Sequence, residues 1–324
     1  HLAFMGFIEV AANIRTILGN FRFCKKDIIN YNPDAVILVD YPGFNLRIAE
    51  FAKKAGFKVF YYISPQVWAW KQSRVRTIKK YVDRMFVILP FEKAFYARYD
   101  YDADFVGHPL LDVIETLPEN DGQNFRQEHG LNDKPIIALL PGSRRQEIKV
   151  MLSVMLSVVN EFPQYQLVVA GAPSQESTFY QNFIGETRVK LVEGQTYRLL
   201  QNACAALVTS GTATLETALF EVPEVVCYKG SLISYQIARR IVDRTIIRHI
   251  SLVNLIMEKE VVKELIQYDF NKKNLQKELH QITENQTNRL RIINDYKTLK
   301  EKLGGGGASG KTAETIHRLL TTHS

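Results

Sequence analysis

Cysteine is scarce in this chain. Three occur in 324 residues, Cys24, Cys204 and Cys227, each alone in an apolar context and none in a CxxC pair. That excludes a disulfide framework and points to small core residues in a reducing compartment, the cytoplasm. Long hydrophobic runs are missing too: no stretch approaches the ~18–20 apolar residues of a membrane-spanning helix, and no signal peptide is visible. The histidines (1, 108, 129, 249, 280, 317 and 323) show no metal-ligand spacing, so no metal and no cofactor is expected. An excess of acidic residues is also absent, because Lys and Arg outnumber Asp and Glu by 41 to 34.

The resulting positive charge gathers in two places. The stretch WKQSRVRTIKKYVDR (70–84) carries Lys71, Arg74, Arg76, Lys79, Lys80 and Arg84, and ARRIVDRTIIR (238–248) carries Arg239, Arg240, Arg244 and Arg248. Each reads either as a solvated helix face or as a surface that attracts phosphates or an anionic membrane. No nucleic-acid motif and no repeated basic–aromatic interleaving accompanies them, so nucleic acid is not an expected partner.

With 46% apolar residues the chain has enough material for the cores of two domains. It opens on HLAFMGFIEVAANIRTILGNFRF, a helical pattern with Phe4, Phe7, Ile8, Ala11, Ile14 and Leu18 on one face. Strands are expected at Asp34–Val39, Lys58–Ile63, Arg84–Leu89 and Asp104–Val106, with helices between them. A polar, strand-free stretch, LPENDGQNFRQEHGLND, then separates a second series: Ile136–Leu140, Gln166–Ala170, Val189–Val192, Ala205–Val208 and Val225–Tyr228. Nearly unbroken apolar strands alternating with helices predict parallel sheets covered on both faces, an α/β chain of two Rossmann-like domains in tandem. The expected divisions are 1–115, 116–303, and 304–324 as a Gly-rich hinge with a final docking helix. The first domain enters on a helix where a strand and phosphate loop are usual, so an N-terminal segment is expected to be lacking.

In open parallel sheets ligands bind beyond the carboxyl ends of the strands. LLPGSRRQE (139–147) brings Gly142 and Ser143 to a helix start, with Arg144 able to fork onto a phosphate. TSGTATLE (209–216) offers Ser210, Gly211 and Thr212 at a second helix start, and Glu216 one turn in, able to accept hydrogen bonds from a ribose or sugar. Together they describe a diphosphate site that needs no metal; the turn YKGS (228–231) could line the same cleft. Each is also what a simple capped helix would look like. In the first half Asp40 stands at a strand's carboxyl end as a candidate general base, and SPQVWAW places Ser64, Gln66, Trp68 and Trp70 at another. His108, in GHP, reads as a packed turn residue. GGGGASGKT (304–312) matches a nucleotide-binding P-loop, but no buried strand precedes it, so a flexible hinge is the better reading.

At YYISPQVWAWKQSRVRTIKKYVDRMFVILPFEKAFY, FVGHPLLD, LLPGSRRQEI, VTSGTATLETAL and ISLVNLI, in that order, the chain resembles the lipid-A-disaccharide synthase family. The resemblance implies a GT-B fold, two Rossmann-like domains facing across a cleft. It implies an inverting, metal-independent glycosyltransferase that moves 2,3-diacylglucosamine from UDP-2,3-diacylglucosamine to 2,3-diacylglucosamine 1-phosphate, forming a β-1′,6 link and UDP. Arg144 would then neutralise the donor phosphates, the SGTATLE turn would hold the nucleotide with Glu216 on ribose, and Asn254 would line the donor cleft. Asp40 would be the acceptor's base, with Ser64, Gln66 and Trp68 on the acceptor side. Val253 stands where the family pattern would have Pro. Acylated substrates imply a peripheral enzyme on the inner face of the inner membrane. The opening helix, with Arg15, Arg22, Lys25 and Lys26, could dock there or simply cover the first sheet. A homodimer that exchanges C-terminal segments about Gly304–Gly307 is a further expectation. The alternatives are another GT-B enzyme of UDP-sugars, such as an epimerase or N-acetylglucosaminyltransferase, or a UDP-binding or membrane-docking module without turnover.

Overall fold

The apolar runs become two parallel sheets in the computed structural model, which describes residues 14–69, 72–230 and 249–322. The first sheet contains β1 (Ala35–Val39), β2 (Lys58–Tyr62), β3 (Arg84–Val87) and β4 (Ala103–Phe105), side by side in chain order. All pairs are parallel, with Ala35 opposite Lys58, Phe60 opposite Arg84 and Met85 opposite Ala103. Each connection therefore crosses over through a helix: Pro42–Lys54, Arg74–Tyr81 and Pro90–Ala97. The helix Ala308–Thr321 joins this sheet from the far end of the chain, packing Ile316, Leu319 and Leu320 against Phe60, Phe86 and Val106. The described residues up to Pro109, with those from Gly305 onward, form one compact unit, and Leu110–Gly304 forms the other.

The second sheet contains β5 (Ile136–Leu140), β6 (Gln166–Gly171), β7 (Lys190–Glu193), β8 (Ala203–Thr209), β9 (Glu224–Tyr228) and β10 (Lys263–Ile266), again all parallel. Its spatial order is β10-β9-β8-β5-β6-β7. Strands are added outward from β5 in one direction and then, from β8, in the other. The order therefore reverses between β5 and β8. That reversal leaves a crevice at their carboxyl ends, because the two following helices depart to opposite faces of the sheet. Every residue of β5 and β6 is buried. Phe125, Leu199, Leu200 and Val222 fill one covering layer against Ile136, Ala138, Val168 and Val208. Each fully buried Ile, Leu, Val or Phe of this kind contributes about 1.5–3 kcal/mol.

The opening helix differs from its sequence reading. Its described part, Ile14–Tyr31, extends well past Leu18, and Phe21 rather than Leu18 is its buried anchor, stacked on Phe44 with ring centroids 4.3 Å apart. Leu18 is 46% exposed and Phe23 73% exposed. The remaining predicted stripe, Phe4 to Ile14, and the basic stretch 238–248 lie outside the described residues or their described side chains. Strand β10 was not expected, because KELI is short, half charged and lies at the sheet edge, where only its pairing to β9 marks it as a strand. Among the described residues no helix is long and apolar enough to cross a membrane.

Candidate active site

Two turns converge at the point of reversed strand order. After β5 the chain passes Pro141 and turns on Gly142, whose φ of +97° lies in the left-handed region that glycine adopts without strain. Arg144 follows in an extended conformation as the cap of the helix Arg145–Leu156. The turn is tied to the loop after β6, since the Ser174 hydroxyl donates to the Ser143 carbonyl at 3.2 Å. After β8, Ser210 donates its N–H to the Cys227 carbonyl at 3.0 Å, and Gly211 caps the helix Thr212–Leu219. Gly142, Ser143, Arg144, Ser210, Gly211, Thr212 and Glu216 thus line one cavity of about 440 Å³. Its size falls within the range of small-molecule sites.

The cavity is chemically mixed. Two helix starts and the Arg144 guanidinium provide positive potential. Two carboxylates, Glu147 and Glu216, line it as well. Burial pushes the Glu216 carboxyl up, and the neighbouring Tyr197 hydroxyl, which favours the anion, opposes this in part. Tyr197 is itself pushed up to about 12, first by burial and then by the charge of Glu216. Thr209 is buried at the cavity wall, and its hydroxyl has no hydrogen-bond partner among the described residues. A buried hydroxyl in that state calls for water or a ligand group. Thr209, Thr196 and Glu147 were not singled out from the sequence. Glu147 could have been, since it lies one turn into the helix after the glycine turn. Thr209 reads as an ordinary strand residue until the sheet places it at the edge.

Asn254 requires a correction. It does not line the cavity; it is fully buried, and its amide is used within the protein. Nδ2 donates to the Val262 carbonyl at 2.9 Å and to Glu264 Oε1 at 3.0 Å, while Oδ1 accepts from the N–H groups of Val261 and Val262 at 2.8 and 3.0 Å. The helix Leu252–Met257 starts without the expected Pro, because Ser251 caps it by accepting from the Asn254 N–H at 3.2 Å. Ser210 is also used internally: its hydroxyl donates to the Ile250 carbonyl at 3.2 Å. Its proton therefore does not point to a phosphate.

In the first unit Asp40 is exposed at the end of β1, in the left-handed region with φ 45°, as is Tyr41 with φ 44°. Its carbonyl accepts from Asn45 Nδ2 at 2.8 Å and from the Tyr61 hydroxyl, which fixes the backbone beneath the carboxylate. Ile63, directly after β2, has φ 63°, a strained conformation for a β-branched residue. Of the described residues of the following loop, SPQVWAW, Gln66 is the exposed one, and Trp70 lies outside the described residues. Ser64 is buried, bonded to the Tyr96 hydroxyl at 2.8 Å and the Pro65 carbonyl at 3.0 Å, and Trp68 packs edge-on to Phe91 at 4.9 Å. Beneath them lies Glu92, 1% exposed, accepting from the Leu89 and Ile88 N–H groups at 3.0 and 3.3 Å. Burial pushes its carboxyl up to about 7. His108 is also buried, and burial brings its imidazole down to about 4, so it is neutral at pH 7.

A family model described as lipid-A-disaccharide synthetase matches residues 1–315. The chain belongs to this family. A lipid-A-disaccharide synthase of Syntrophus aciditrophicus strain SB is 42% identical over 319 residues, spanning 96% of this chain and 82% of that protein. Among solved structures, the UDP-GlcNAc 2-epimerase of Neisseria meningitidis bound to UDP-GlcNAc superposes with a TM-score of 0.66 at 14% identity, covering 98% of this chain and 84% of its own. CalG4, a calicheamicin glycosyltransferase, superposes with a TM-score of 0.58 at 14% identity, covering 99% and 86%. At these identities the two structures show the fold alone, the GT-B type of two parallel-sheet domains, which is also the fold the family resemblance implied.

Proposed function

We propose that the cavity at the β5–β8 reversal holds the UDP moiety of UDP-2,3-diacylglucosamine, and that the chain transfers this sugar to 2,3-diacylglucosamine 1-phosphate. The family's lipid A disaccharide synthesis supports the reading, and one observation carries its geometry: the Gly142–Arg144 and Ser210–Thr212 turns open into the same cavity. In the reaction the acceptor's 6-hydroxyl oxygen bonds to the donor's anomeric carbon from the face opposite the phosphate. The bond from that carbon to the phosphate oxygen breaks, the carbon inverts, and UDP leaves with the electron pair. Arg144 and the two helix starts stabilise the charge that develops on the departing diphosphate, the kind of fixed electrostatic term that is usually largest in catalysis. Glu216 accepts hydrogen bonds from ribose hydroxyls. Asp40 takes the acceptor's proton.

The acceptor's acyl chains and those of the donor require access to a lipid leaflet. The helix Ile14–Tyr31 suits this role, presenting exposed Leu18 and Phe23 beside the basic Arg22, Lys25 and Lys26. The working place is then the inner face of the inner membrane. A homodimer formed through the C-terminal segment remains part of the proposal.

Calorimetry without added metal tests the donor site. UDP is expected to bind the wild-type chain, and Arg144→Ala is expected to weaken it by ~1.5–3 kcal/mol, the scale of a hydrogen bond to a charged group. Equal binding by both proteins would remove Arg144 from the donor site. UDP release from the diacylated donor, with none from UDP-N-acetylglucosamine, separates this function from other UDP-sugar chemistry on the same fold.

A further inference from the structure

Glu264 lies on β10, and its carboxylate is almost completely buried although it is not among the described residues that line the cavity. It gathers the start of one segment onto itself. Both of its oxygens accept from the Ile250 N–H, at 3.1 and 3.0 Å, Oε1 accepts from the Ser251 N–H at 2.9 Å, and the same oxygen accepts from Asn254 Nδ2 at 3.0 Å. His249 Nδ1 is 4.0 Å away. The other side of this peptide faces the cavity turn: the Ile250 carbonyl accepts the Ser210 hydroxyl at 3.2 Å. Ser210 lies beside Gly211 and Thr212, whose helix start lines the cavity.

These contacts form one continuous chain of hydrogen bonds from β10 to the site. A carboxylate is the side chain suited to its head, because it alone offers several acceptor sites and no donor to converging N–H groups. Bonds from N–H groups to a charged acceptor are also stronger and shorter than neutral ones, so the peptide is held firmly. Asn254 closes the arrangement from behind by binding Val261 and Val262, the residues that lead into β10. Glu224, fully buried on β9 with neither oxygen partnered among the described residues, has its carboxyl pushed well above the usual range by burial and then by the charge of Glu264.

We infer that Glu264 is a positioning residue for the nucleotide site, which through the Ile250 peptide fixes Ser210 and with it the turn that receives the donor's diphosphate. The inference rests on the proposed UDP site. It assigns Ser210 and Asn254 to the same device, in which neither needs to touch the nucleotide with its side chain.

A double-mutant cycle on the full chain tests it, with UDP as the probe and calorimetry as the readout. Glu264→Gln keeps the size of the side chain and removes the charge and half of the acceptor capacity. It is expected to weaken UDP binding about tenfold, and Ser210→Ala several-fold. The double variant is expected to lose no more than the weaker-binding single variant, since both substitutions break one chain. Losses that multiply, or unchanged binding by Glu264→Gln, overturn the inference. A purely structural role would lower the melting temperature without this non-additivity. Should Glu264→Gln not fold, hydrogen exchange on the wild type decides: UDP is expected to slow exchange at the Ile250 and Ser251 amides at least tenfold, and unchanged rates overturn the inference. A folded wild type that binds no UDP overturns the donor site itself, which distinguishes that failure from this one.

Discussion

At Gly142 a side chain would meet two obstacles at once. Its φ of +97° strains any L-residue, and an added Cβ would lie 2.2 Å from Glu147 Oε2. The carboxylate can swing aside, but only by moving within the cavity that both residues line. Gly142→Ala is therefore expected to cost about 1–3 kcal/mol in stability and to weaken UDP binding, measured by denaturant unfolding and calorimetry on the same preparation. A variant as stable as wild type would show that the turn relaxes without strain. At this scale the sequence left the Gly-Ser-Arg turn open between a phosphate site and a plain capped helix, and the cavity it shares with Ser210–Thr212 favours the first. The sequence did not reveal that Asn254 faces inward. An amide in the run ISLVNLI looks the same whether its partners are a ligand or the backbone of Val261 and Val262, and only the fold brings those residues to it.

Among the elements, the helix Leu252–Met257 is six residues long and too short to hold itself together. Its stability comes from the Ser251 cap and from the Asn254 amide that ties it to β10. Removing the amide with Asn254→Ala would leave the Val262 N–H buried without an acceptor, while the Val261 N–H keeps the Lys259 carbonyl at 3.0 Å. An orphaned group costs about 1–3 kcal/mol, so a loss of that size is expected in denaturant unfolding. Ser251→Ala, which removes only a cap, is expected to cost about 0.5–2 kcal/mol. If Asn254→Ala proved as stable as wild type, the tie to β10 would contribute nothing. The strand that completes this knot was invisible in the sequence for a physical reason. KELI buries only Leu265 fully, so it lacks the apolar run that betrays an interior strand.

For the molecule as a whole, two buried groups of the first unit oppose each other as pH changes. His108 titrates near 4 when folded and near 6.5 when free, so the unfolded chain binds more protons between those values and stability rises with pH there. Glu92 titrates near 7 when folded and near 4.5 when free, so the folded chain binds more protons and stability falls as pH rises through that window. Each displacement is worth about 3 kcal/mol, and in the shared range from pH 4.5 to 6.5 they nearly cancel. Glu216 and Glu224, whose carboxyls burial also pushes up, add to the fall, so the wild-type profile is expected to decline with pH there. Relative to it, Glu92→Gln should shift the slope upward and replacing His108 by Asn should steepen the decline, by thermal melting across pH. Parallel profiles for all three proteins would show that neither group is held as its burial implies.

The sequence by itself determined the α/β class, the parallel strands and the two turns that line the cavity, since these depend on local patterns: unbroken apolar runs, glycine at a strand end, and a helix start following at once. The tertiary structure alone decided which loops meet. The reversal of strand order between β5 and β8 is a choice of neighbours that no local pattern encodes. It brings residues 142–144, 210–213 and Glu216 into one cavity. The same long-range pairing placed β10 against β9 and so aimed Glu264 at the Ile250 peptide. Burial too belongs to the fold: Glu92, His108 and Glu224 acquire their displaced proton affinities from packing around them, because removal from water disfavours charge wherever it occurs in the chain.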